Sequence, residues 1–174
     1  MTAKITIDEW TPLPGSVPAA VDPGKIYVVP TRLPSNESLG TQPLYFESVR
    51  YVPKEARAVG APVEFATPEG SRKFVQEFSA DIDTWALALL CFNMANDWLI
   101  FAVGLFIATR SKSEGWSEEK AKELPLKVSV VEAETGRTYE IEGSGSDVLA
   151  ALEVLRKDAK RKKDGGKKSK NNRG

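Results

Sequence analysis

Three polar residues, Asn93, Asn96 and Asp97, interrupt the most apolar stretch of the chain. At helical spacing they stand at i, i+3 and i+4 and share one face. Asp97 is the single acid in that run, and a carboxylate buried there needs partners or takes a raised pKa. The three read either as a buried polar cluster or as a turn joining two elements. No second acid, base or nucleophile is placed beside them. Histidine is absent from the chain, which removes the commonest general base and the commonest metal ligand together. Carboxylate, lysine or tyrosine chemistry stays open in principle, but no constellation for it is visible. The expectation is a protein that is not an enzyme, with no catalytic residue, cofactor or metal. The one cysteine, Cys91, lies in the apolar run and reads as a buried thiol of a reducing compartment.

Gly143, Ser144, Gly145, Ser146 and Asp147 form a glycine-rich segment ahead of a helical pattern. A helix amino terminus can hold phosphate, but no Walker lysine follows, the third glycine of a dinucleotide fingerprint is missing, and Asp147 would repel an anion. The segment reads as a strand-to-helix turn with Ser146 as the cap.

The strongest partner signal is charge. Residues 156–174 hold ten Lys/Arg against two Asp, which leaves fourteen basic and twenty-two acidic side chains in residues 1–155. A net charge of zero thus hides an acidic head and a basic tail. The candidate partner-binding residues are Arg156, Lys157, Lys160, Arg161, Lys162, Lys163, Lys167, Lys168, Lys170 and Arg173. Such a run binds polyanions by counterion release, without reading sequence. No aromatic residue interleaves to stack on bases.

The elements that position these groups follow from periodicity. Residues 1–60 are rich in Pro and Gly and read as loops with short strands at 4–7 and 25–29. Residues 32–42 read as a further loop, and 44–52 as an edge-type strand. A short strand is predicted at 63–65. Thr67, Pro68 and Glu69 resemble a helix start, with Phe74, Val75 and Phe78 as its apolar face. Residues 82–110 read as one long apolar helix, or as a helix, a turn at 93–97 and a strand at 98–108. Ser117 opens a short helix ending before Pro125. Residues 126–132 and 137–142 alternate as a hairpin about Glu134, Thr135 and Gly136. Val148, Leu149, Leu152 and Leu155 give the last helix its buried stripe. From Gly165 onward the chain lacks apolar residues and is expected to be disordered. The fold class expected is α+β: a small mixed domain over 1–157, with short antiparallel strands and a disordered basic tail at 158–174.

Residues 85–108 are long enough to span a bilayer, which needs about 20 apolar residues. Asn93, Asn96 and Asp97 fall in the middle, where a carboxylate costs about 2.5–3.5 kcal/mol. A core element is therefore preferred to a membrane span, and the amino terminus has no secretory pattern.

The segment 97–126 is similar to part of the tail assembly chaperones of phages of Gram-positive hosts. The residues that carry the resemblance are Phe106, Ile107, Arg110, Trp116, Ser117, Glu118 and Leu124 to Leu126. The resemblance implies a non-catalytic, virion-assembly protein of the host cytoplasm that holds an aggregation-prone tape-measure protein. It also implies a Lys-rich ending, sometimes at a programmed frameshift, with which Gly165, Gly166, Lys167 and Lys168 are compatible. Residues 126–155 resemble, in turn, the carboxy-terminal part of small adaptor domains of bacterial conflict systems. Another protein is the expected partner, with nucleic acid through the tail as the alternative and a membrane as a third.

Overall fold

Residues 2–10, 18, 20–30, 44–70, 72–75 and 85–171 are described by a computed structural model. The elements run β1 (Lys4–Glu9), β2 (Ile26–Val28), β3 (Leu44–Phe46), a 3-10 turn (Glu47–Val49), α1 (Val52–Ala58), β4 (Val63–Phe65), β5 (Lys73–Val75), β6 (Trp85–Cys91), α2 (Trp98–Glu114), α3 (Glu118–Glu123), β7 (Pro125–Glu132), β8 (Arg137–Ser144) and α4 (Gly145–Asn171). The architecture is α+β. Six strands form one sheet in the order β1-β8-β7-β6-β2-β4, and β3 with β5 forms a small second sheet.

The β7–β8 hairpin is built on alternation. Val128 stands opposite Ile141 and Val130 opposite Tyr139, so these four share one face of the sheet. Gly136 takes φ 69° in the turn, where a Cβ would be strained. β1 adds antiparallel to the outside of β8, with Ile5 opposite Ile141 and Ile7 opposite Tyr139. β6 runs parallel to β7, and α2 and α3 make the crossover that parallel pairing requires. Their helical face is regular: Leu99, Ala102, Val103, Phe106 and Ile107 are all buried, at i, i+3, i+4, i+7 and i+8. Burying each of the larger side chains contributes about 1.5–3 kcal/mol. Gly115 ends α2 at φ 70°, and the Ser117 hydroxyl accepts the Lys120 N–H to open α3. Val148 and Leu152 carry α4 onto the same core, with Leu149 and Leu155 packed beside them. Gly145 lets α4 approach α3, because a Cβ there would lie 3.1 Å from Lys122 Cα.

The second sheet meets the first through Tyr45 and through Phe74, whose ring packs edge-on against Phe65 at 5.9 Å. Tyr45 is fully buried, its hydroxyl donates toward Thr67 Oγ1 (2.9 Å) and Val28 O (3.2 Å), and it accepts the Thr67 N–H. Phe65 meets its ring edge-on at 5.1 Å.

Several expectations are corrected. Residues 85–110 are neither one long helix nor helix, turn and strand. They are strand β6, a turn at 92–97, and helix α2. β6 lies between β7 and β2 and is apolar on both faces because both are covered. The stretch therefore cannot act as a membrane-spanning helix, and no helix among the described residues is long and apolar enough to cross a membrane. The expected strand at 44–52 stops at Phe46, and Pro53 in the first turn favours α1 instead. Thr67 does not cap a helix, since its hydroxyl and N–H are held by Tyr45, and residues 73–75 pair with β3 as a parallel strand. β2–β4 and β6–β7 are also parallel, where short antiparallel strands were expected. The cap of α4 is Ser144, whose Oγ accepts the Asp147 N–H, not Ser146. Finally, α4 continues through the expected disordered tail to Asn171. Lys and Arg are good helix formers and complement the negative end of the helix dipole. The predicted loop at 32–42, Phe78 and Arg173 lie outside the described residues.

Candidate functional site

Four segments meet at one end of the sheet: the turn at 92–97, the β7–β8 turn, residues 23–24 ahead of β2, and the second half of α4. They enclose an open groove of about 900 Å³. The floor is set by Glu132, the last residue of β7, which is 4% exposed. Its Oε2 accepts the Met94 N–H at 2.7 Å, and its Oε1 accepts the Thr135 hydroxyl at 2.6 Å. One carboxylate thus locks two turns together, through the charge-assisted bonds that a buried acid needs.

The predicted polar cluster forms the wall above it. Asn93 Oδ1 accepts the Ala95 N–H at 2.7 Å, and Asn93 Nδ2 donates to the Glu134 carboxylate. Asn96 Oδ1 accepts the Trp98 N–H at 2.9 Å and so starts α2, while its Nδ2 donates to Pro23 O. The three residues are a turn and not one face of a helix. Asp97 is also not buried: its side chain is 66% exposed. It accepts from Arg156 and, at 2.7 Å, from Lys160. Those hydrogen bonds, Lys160 first and Arg156 second, hold its carboxyl below the usual range. Glu153 binds Arg156 from the other side, and it and Asp97 push the guanidinium pKa up. α4 is thereby clamped to the start of α2.

The structure divides the basic candidates by role. Arg156 and Lys160 are engaged with Asp97. Lys162 and Lys163 line the groove together with Asp158 of the same helix. Lys157 and Arg161 are solvent-exposed and reach acids only at 4.0 Å. Lys167, Lys168 and Lys170 fall on the helical continuation of α4. The larger apolar side chains of the groove include Ile7, Phe92, Trp98, Tyr139 and Leu155. Trp98 is 38% exposed and meets Phe101 edge-on at 5.6 Å.

Sequence reasoning missed Glu132, Glu134, Thr135, Arg137 and Tyr139. The available signal was an acid closing an otherwise apolar strand, immediately before a polar turn. The potential nucleophiles nearby are held protonated. Burial, and then the Glu132 charge, push the Cys91 thiol up to about 12 and the Tyr139 phenol above its ordinary value. Among the described residues, no group of three His, Cys, Asp or Glu could hold a metal ion. The geometry instead offers mixed apolar and charged walls over a hydrogen-bonded floor. No protein-family model matches the chain, and no curated protein or solved structure shows significant similarity to it.

Proposed function

We propose that this is a non-enzymatic binding and assembly protein of the cytoplasm, whose groove holds a segment of another protein. The observation that carries this reading is the groove itself. Its volume of about 900 Å³ is at the upper end for a binding site, and its walls pair Trp98 and Tyr139 with Glu134, Asp158, Lys162 and Lys163. An amphipathic client segment fits that mixture better than a small metabolite does, because aromatic anchors and a charged rim are the anatomy of protein interfaces. The resemblance of 97–126 to tail assembly chaperones supplies a client class, an aggregation-prone tape-measure protein. The test is co-expression with a phage tape-measure protein. The client is expected in the soluble fraction with the native chain and in the pellet with Trp98→Glu plus Ala95→Arg. A client equally soluble with both refutes the groove. Turnover of a small substrate, abolished by one substitution at the groove, removes the reading altogether.

The exposed residues 161–165 at the outer end of α4 favour one second reading, a polyanion bound along the basic helix. Removing residues 157–174 is expected to abolish salt-sensitive retention on a phosphate polyanion. Unchanged retention rejects it.

A further inference from the structure

The edge of the main sheet carries a self-complementary code. β1 pairs only with β8, so among the described residues its outer side faces no strand. Natural edges are usually short, bulged, or guarded by proline or charged side chains, and the charges that β1 carries, Lys4, Asp8 and Glu9, are of both signs and so can pair across two copies rather than only repel. β1 has six residues in unbroken register with β8, contains no proline, and exposes Ile5 (40%) and Ile7 (51%).

The outward backbone groups can be assigned. The Trp10 N–H donates to Gly136 O, next in register after Glu9 and Arg137. Hydrogen-bonding direction alternates along an antiparallel strand, so Lys4, Thr6 and Asp8 also point their backbone groups at β8. Ile5, Ile7 and Glu9 point theirs away from the sheet.

We infer that β1 pairs antiparallel with β1 of a second copy of this chain, about a twofold axis through Thr6, making one continuous sheet. In that register Ile5 of each copy faces Ile7 of the other, and the outward N–H and C=O groups of those two residues satisfy one another. The same register puts each Lys4 opposite an Asp8. Among the described residues neither Lys4 nor Asp8 has an ion-pair partner within the chain. Lys4 already stands opposite Glu142 on its inner side, so pairing gives it an acid on both sides. A slip of two residues in one direction places Ile5 against Glu9 and Lys4 against Trp10. A slip in the other direction leaves Lys4 opposite Thr6 and Asp8 opposite Thr2. Only the register centred on Thr6 matches charge with charge and isoleucine with isoleucine, and matched cross-strand pairs are what select a register. The twofold requires the same patch on both copies. The inference shares Ile7 with the groove lining, but it rests on the outward backbone edge of β1 and on the Lys4 and Asp8 match, neither of which the groove reading uses.

The test is sedimentation equilibrium of the full chain, from the micromolar to the millimolar range. The native chain is expected at twice 19.0 kDa. Lys4→Asp alone, and Asp8→Lys alone, each set like charges opposite one another at both ends of the paired strands. Each is expected to weaken the dimer by about tenfold or more. Mixing the two variants places lysines against aspartates again and is expected to restore a heterodimer. The doubly exchanged chain, Lys4→Asp with Asp8→Lys, is expected to restore the homodimer, which a mere folding defect would not do. A native chain that sediments at 19.0 kDa throughout, or a mixture that fails to associate, overturns the inference.

Discussion

Glu132→Gln tests whether the buried carboxylate is what builds the groove. In the native chain two oxygens accept from two donors, the Met94 N–H at 2.7 Å and the Thr135 hydroxyl at 2.6 Å. A glutamine keeps one oxygen for Met94 and turns its amide toward Thr135, whose hydroxyl rotates to accept. Both contacts persist but lose their charge. Hydrogen bonds to charged groups contribute about 1.5–3 kcal/mol and neutral ones about 0.5–1.5, so the loss is about 2 kcal/mol. For a chain of this size that lowers Tm by about 4–8 °C. Glu132→Ala is worse, at about 4 kcal/mol, because the buried Met94 N–H is left without an acceptor. The assay is urea unfolding followed by tryptophan fluorescence, with amide exchange at Met94 as a local reading. Exchange should quicken strongly in the alanine variant and little in the glutamine variant. A glutamine variant as stable as the native chain would show that the burial cost of the charge cancels its bonds, and the reasoning would fail.

Tyr45→Phe should lower stability by about 1–3 kcal/mol in urea titrations, because the Thr67 hydroxyl and N–H lose their buried partner. Asp97 has a folded pKa below its free value of 3.8, so its ion pairs stabilise above that value and stop doing so as the pH falls through the lower one. Asp97→Asn should therefore match the native chain in strong acid and fall below it at neutral pH by about 1 kcal/mol or less, since the pair is exposed. Gly165→Ala with Gly166→Ala should raise the helical circular dichroism signal, each glycine costing about 1 kcal/mol relative to alanine in a helix. Cys91, buried with its thiol pKa at about 12, should resist a thiol-specific reagent at mildly alkaline pH until urea unfolds the chain.

The readable parts of the fold were those where one face is wet. The β7–β8 hairpin alternates because its outer face meets solvent, and its glycine turn was predictable from the same lines. Ser117 and the stripe on α4 were legible for the same reason. β6 was not. An interior strand with both faces covered shows no period, and its WALALLC segment merges with the apolar start of α2 into one featureless run. The i, i+3, i+4 pattern beginning at Leu99 was present, but the strand ahead of it obscured where it started. Thr67 misled because a hydroxyl before a proline reads as a cap whether or not a distant tyrosine claims it. At the site, Asn93 and Asn96 stand out in the sequence as polar interruptions, and the turn they form is one of the two readings it allows. Glu132 was missed because its partners, Met94 and Thr135, come from different turns, and one of them lies 38 residues away in sequence.

The pairing of β1 with β8 has a temporal consequence. Lys4 meets Glu142 in the finished sheet, so the first strand leaves the ribosome about 138 residues before its neighbour exists. At typical synthesis rates of 5–20 residues per second, that delay is about 7–28 s. During translation the nascent segment has no native mate within its own chain until β8 emerges. A cell making this protein on crowded polysomes therefore offers many identical unshielded leaders at once, and whichever complementary strand arrives first decides whether the sheet closes on its own chain or on a sibling.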